Sequence, residues 1–248
     1  MNSITRILVI ALVPVLLGGC FEVTEDIVIR KDSSATVEVE ITLSGSLAML
    51  AGGMDKSMQD PFGAADKVVR DLEAQPGVSK AKYSASKGGS SKVHRLEIEL
   101  EHYRALPKVG EILMKYQRER MVEASFSVQE VGPVSARVTQ RLVGRAVNIK
   151  TPTHLQGIPM APLMEGKKGE AREYVVGRLK DKYVFVTLRA PRIGDHNGEL
   201  NDSGTVVKWN VPLSALVGAP GKAYDLAADI DMSEDERPLW KRVIFFWK

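Results

Sequence analysis

The only thiol of the chain, Cys20, closes the segment Leu17-Gly18-Gly19-Cys20. With no second cysteine there is no disulfide within the chain, and thiolate catalysis and Cys-ligated zinc are excluded from the domain that follows. Other chemistry is sought in vain at the usual spacings. Gly218-Ala219-Pro220-Gly221-Lys222 approaches a phosphate-cradling loop, but Leu216 stands where its first glycine belongs and Ala223 where a hydroxyl would meet Mg²⁺. Gly88-Gly89-Ser90-Ser91-Lys92 lacks the closing glycine of a nucleophile elbow. His94, His102, His154 and His196 are far apart in sequence, and none forms a zinc-binding His-Glu-x-x-His helix. Asp195 to Asp202 sets oxygen side chains at alternate positions, as calcium prefers, but has no closing bidentate glutamate. A solvated hairpin loop is the simpler reading. The expectation is a chain with no catalytic residues, no metal and no cofactor.

What precedes Cys20 is more telling. Arg6 supplies a positive start, Ile7 to Leu17 is unbroken apolar sequence, and two glycines follow, which is the three-part layout of an export signal. The apolar run is about 11 residues, whereas a membrane span needs about 20. The tetrapeptide resembles the bacterial lipobox. That resemblance implies cleavage before Cys20, diacylation of its sulfur and N-acylation of the new terminus. Each buried methylene contributes about 0.8 kcal/mol, so two or three acyl chains hold firmly where one does not. The residue after the cysteine is Phe21 rather than the aspartate that commonly retains lipoproteins at an inner membrane. The implied address is the periplasmic face of the outer membrane, in a cell with two membranes.

The 248 residues carry a formal charge of only +3, so no global field invites nucleic acid. Residues 1–19 are read as the signal, 20–232 as a single extracytoplasmic domain anchored at Cys20, and 233–248 as an acidic linker with an aromatic and basic tail.

Within the domain, two-residue alternation predominates. Phe21 to Arg30 and Ala35 to Leu43 read as strands around a Lys31–Ser34 turn. Asp66 to Gln75 changes to a helical period and stops at Pro76-Gly77. A second hairpin (Val78 to Ser86, Val93 to Glu101), a second helical stripe (Leu106 to Tyr116) and a third hairpin (Val122 to Val128, Val134 to Val138) follow. Strands are expected again at Arg172 to Lys180, Lys182 to Arg189, Thr205 to Val211 and Ala223 to Met232, with a polar loop from Pro191 to Gly204. The pattern predicts an α+β fold: a curved, mainly antiparallel sheet built of hairpins, with two helices packed on one face.

The Val- and Thr-rich strand–turn–strand after Cys20, the small-residue segment Ser44 to Gly53, and Gly204-Thr205-Val206-Val207-Lys208-Trp209-Asn210-Val211-Pro212-Leu213 together resemble LppM-type bacterial envelope lipoproteins. The resemblance implies an α+β domain in the envelope with a role in binding envelope lipids. Such proteins often end in a transmembrane helix. Leu239 to Trp247 is too short for one.

Two irregular stretches invite a binding role. Leu47 to Met58 includes Met49, Leu50 and Met54, and Leu155 to Met164 includes Ile158, Met160 and Leu163; together they hold five of the nine methionines. Methionine suits surfaces that adapt to varied apolar partners, so an apolar groove for a lipid is expected here. In the tail, Trp240, Ile244, Phe245 and Trp247 lie among Lys and Arg, the mixture of a membrane interface or a partner contact. The function expected is a non-enzymatic lipid-anchored protein that binds an envelope lipid. The alternatives are an assembly factor that grips a protein through a sheet edge, and a loop-built hydrolase.

Overall fold

The computed structural model describes residues 21–43, 64–88, 91–116, 122–144, 176–177 and 179–233. β1 (Phe21–Ile29) and β2 (Ala35–Leu43) form the first hairpin, in register from Phe21↔Leu43 to Ile29↔Ala35. Its turn is tied by Asp32, whose Oδ1 accepts from the Ser34 backbone N–H at 3.0 Å and from Ser34 Oγ at 2.7 Å. α1 (Ala65–Glu73) buries Ala65, Val68 and Leu72 at helical spacing. β3 (Val78–Gly88) and β4 (Ser91–Leu100) are the second hairpin, and α2 (Leu106–Tyr116) follows a 3₁₀ turn at Tyr103–Ala105. β5 (Val122–Gly132) and β6 (Ser135–Gly144) are the third hairpin. Beyond residue 178 come β7 (Tyr183–Arg189), β8 (Arg192–His196), β9 (Glu199–Leu200), β10 (Val206–Pro212), α3 (Leu213–Gly218) and β11 (Ala223–Asp231).

The strands divide between two sheets where one was expected. Seven form the order β3-β4-β2-β1-β7-β10-β9, and four form β5-β6-β11-β8. Pairing among the described residues is antiparallel except between β1 and β7, which run parallel from Val23↔Val184 to Val28↔Arg189. The first strand is thus completed by one more than a hundred residues later. α1 lies against β3, α2 against β5, and the two helices touch. Asp71 of α1 ties them, accepting from Lys115 Nζ at 2.8 Å and Tyr116 Oη at 2.5 Å in α2. One hydrophobic cluster joins both sheets and all three helices, and each fully buried aliphatic side chain contributes about 2 kcal/mol to it.

Three other expectations change. Within the span 172–180, Val176 and Gly177 are helical and Leu179 and Lys180 lie in a turn, so no strand forms at these described residues. The polar loop from Pro191 to Gly204 contains β8 and β9. α3 had no counterpart in the sequence reading: its six residues are too few to show a helical period, and its formation rests on burying Leu213, Leu216 and Val217.

Candidate functional site

The residues singled out from the sequence (Cys20; Met49, Leu50, Met54, Ile158, Met160 and Leu163; Trp240, Ile244, Phe245 and Trp247) all lie outside the described residues. The structure does place the points where the described chain meets their segments. Phe21, next to Cys20, pairs with Leu43, the last described residue before the first Met-rich stretch. Gly144, the last described residue before the second, belongs to the same end of the molecule. β7 runs parallel to β1 and Pro212 pairs with Tyr183, so α3 begins at the Phe21 end. Gly144 then packs on α3 so closely that an added Cβ would lie 1.7 Å from the Leu216 carbonyl oxygen.

Ser233 leaves from the opposite end. Its neighbour Met232 donates its backbone N–H to Val134 O at 2.9 Å, and Met232 Sδ lies 3.6 Å from Ser33 Oγ in the β1–β2 turn. A nine-residue strand at about 3.4 Å per residue separates the two poles by about 27 Å.

Sequence reasoning missed the polar groups buried inside. Glu25 on β1 is 5 % exposed and Gln140 on β6 is 2 % exposed. Gln140 Nε2 donates to Glu25 Oε2 at 2.6 Å, bridging the two sheets. Gln140 Oε1 has no hydrogen-bond partner among the described residues. Burial pushes the Glu25 carboxyl up to about 7, with the Gln140 hydrogen bond pulling the other way. A readable signal existed: Glu25 interrupts the apolar series Val23, Ile27, Ile29, and Gln140 interrupts Ala136, Val138, Leu142. A polar residue at a core position of an alternating strand requires a partner.

Three of the four histidines make hydrogen bonds with nearby groups. His94, buried on β4, shares a 2.6 Å hydrogen bond through Nδ1 with Tyr83 Oη of β3. His102 Nδ1 accepts from Arg104 N at 3.1 Å, capping the 3₁₀ turn. Burial and the Arg104 charge hold its imidazole below the usual histidine range. His196, on β8, bonds within its own corner through Nδ1 to Gly198 O at 3.0 Å. These three lie in separate elements, and His154 lies outside the described residues.

The segment Asp195 to Asp202 is a corner joining the two sheets. Asn197 Oδ1 accepts from Trp209 Nε1 at 2.8 Å and from Ala227 N at 3.0 Å, while Nδ2 donates to Asp225 O at 2.7 Å. One amide thus finishes the edge of β11 and fastens the indole of β10. Only glycine fits at position 198, where a Cβ would lie 2.6 Å from Trp209 Nε1. Beside this corner an open cleft of about 440 Å³ is lined by Asn197, Lys208, Trp209, Tyr224 and Asp225 among others. Asp195 faces Arg137, 3.3 Å away. Within this oxygen-rich segment it is Asn197 that ties the junction of the sheets.

No protein-family model matches the sequence, and no curated protein matches it. Among solved structures, the chain is similar to the folded domain of Mycobacterium tuberculosis LppM, determined by NMR. The identity is 12 % over 85 % of this chain and 89 % of that one, with a TM-score of 0.46. No helix among the described residues is long and apolar enough to cross a membrane.

Proposed function

We propose that this chain is a lipid-anchored envelope lipoprotein whose folded domain binds an envelope lipid or similar apolar ligand and performs no catalysis. One observation carries the reading: Leu17-Gly18-Gly19-Cys20 directly precedes β1, so an acyl anchor at Cys20 would pass into a central strand of the larger sheet with no linker. The non-enzymatic part is supported by the roles of the reactive groups. His94, His102 and His196 are held in packing and capping bonds, and Glu25 is enclosed between sheets. The ligand is assigned to the two Met-rich segments because both adjoin the described chain at the Phe21 pole.

The test has two arms. Cys20→Ser should release the protein from membranes or leave the precursor uncleaved, and a clickable fatty acid should label only the wild type. Lipids recovered with the purified protein should disappear when Met49, Leu50, Met160 and Leu163 are all replaced by serine, with the far-UV spectrum unchanged. An unlabelled wild type removes the anchor, and undiminished lipid recovery removes the ligand assignment.

A second reading has its own support. β3 is an edge strand of eleven residues, and Ser84, Ala85, Ser86 and Lys87 are all exposed. An extended peptide could add there through main-chain hydrogen bonds. Proline at Ala85 should then abolish capture of an envelope protein while leaving lipid recovery intact.

A further inference from the structure

The core face of the larger sheet changes character at its last rung on the Phe21 pole. One step inside, that face carries Ala85, His94, Ile41, Val23 and Val184, which are register neighbours across β3, β4, β2, β1 and β7. On the rung beyond, Lys87 pairs with Lys92, Lys92 with Leu43, and Leu43 with Phe21. Continuing the parallel register two residues back from Val23↔Val184 brings Lys182 beside Phe21. Lysines therefore occupy core-facing positions on this rung, where an ammonium cannot be enclosed in an apolar interior. The core must open here.

Like charges set directly opposite one another on paired strands destabilise them, yet Lys87 and Lys92 are so placed. On the smaller sheet, Lys222 belongs to the same pole: its carbonyl accepts from Gly144 N at 3.5 Å, and its Nζ stands 5.1 Å from the Tyr224 ring centroid. Among the described residues no carboxylate forms an ion pair with Lys87, Lys182 or Lys222, whereas Lys80, Lys108 and Lys115 each have one. Among the described residues, the acids at this end are Glu22, Glu123 and Asp181. At the other pole, Asp32, Glu101, Glu130, Asp229 and Asp231 accompany Arg30, Lys31, Arg104 and Arg137.

We infer that Lys87, Lys92, Lys182 and Lys222 form a docking surface for the anionic phospholipid headgroups of a bilayer. The inference rests on the reading of Cys20 as the anchor, which would hold this pole within reach of the membrane. A surface tethered without a linker samples the bilayer at high effective concentration, so a few cations suffice to set orientation where they could not hold the protein alone.

The full-length acylated protein is bound to vesicles of phosphatidylcholine, or of phosphatidylcholine and phosphatidylglycerol in equal parts. Lysines are acetylated from the aqueous side and read by mass spectrometry. Lys87, Lys182 and Lys222 should label about fivefold more slowly on the anionic vesicles. The difference should vanish near about 1 M salt, where the Debye length falls to about 3 Å, and Lys31 in the far turn should label alike on both. Equal rates on the two vesicle types overturn the surface. If the protein leaves phosphatidylcholine vesicles altogether, the anchor fails separately. Cosedimentation with anionic vesicles, weakened in K87Q/K182Q/K222Q of wild-type circular dichroism, would then still uphold the surface. Cosedimentation indifferent to those substitutions would overturn it.

Discussion

Gln140 Nε2 donates to Glu25 Oε2 at 2.6 Å, a side-chain hydrogen bond between buried groups of the two sheets. It joins β6 to β1 near the middle of both strands. Its energetics follow from its enclosure: burial penalises the charged carboxylate, so the pair is most stable when the carboxyl carries its proton. Gln140 Oε1 has no acceptor role elsewhere among the described residues, and a neutral carboxyl offers a hydroxyl donor that a carboxylate lacks.

Stability should therefore fall with rising pH. The Glu25 carboxyl is raised from 4.5 to about 7 on folding, so the folded state binds this proton more tightly than the unfolded chain. The stabilisation is fully present below about 4.5 and is lost as pH rises through about 7, with a total on the order of 3 kcal/mol. Glu25→Gln should flatten this dependence and exceed the wild type in urea unfolding at pH 8. A wild type whose pH profile matches that of the variant would refute the assignment.

Asn197→Ala removes the acceptor of Trp209 Nε1 and of Ala227 N and the donor to Asp225 O together. The expected loss is on the order of 3 kcal/mol, because partly buried groups are left unpaired. Asn197→Asp keeps the acceptor and should lose less. Urea denaturation followed by circular dichroism ranks the three proteins, and an alanine variant as stable as the aspartate would contradict the role given to the amide.

Gly144→Ala should destabilise by about 3 kcal/mol or more, since its Cβ would meet backbone rather than a flexible side-chain end, 1.7 Å from Leu216 O. Gly218→Ala is the matched control. There the nearest atom, Val176 Cγ1, lies at an ordinary 3.6 Å. Thermal melts of the two variants should differ widely, and equal melts would mean that α3 shifts without cost.

Stopping the chain after Arg237 should leave retention on membranes unchanged, whereas Cys20→Ser should abolish it. The tail departs beyond Ser233, at the pole about 27 Å from Phe21. Ten helical residues span only about 15 Å. Membrane fractionation of the truncated protein, and of one with Trp240, Ile244, Phe245 and Trp247 changed to serine, checks this. Loss of either from the membrane fraction would assign the tail to the bilayer.

The sequence by itself determined what neighbours along the chain decide. The two-residue alternation of β1 and β2, the helical stripe Ala65, Val68, Leu72, and the stop at Pro76-Gly77 are local, because strand pleat, helix pitch and turn chemistry depend on residues a few positions apart. The expectation of an export signal up to Cys20 likewise rests on residues a few positions apart. Tertiary structure alone decided which strands share a sheet. Alternation shows that a strand has a buried face but not what covers it, so β1 finding β7 in parallel, and the transfer of β5, β6, β8 and β11 to a second sheet, could not be read in advance. The same holds for the enclosure of Glu25 with Gln140 and the gathering of Lys87, Lys92, Lys182 and Lys222 at one pole. Each depends on long-range pairings whose free energy comes from burying apolar faces together, a property of the whole chain and of no single segment.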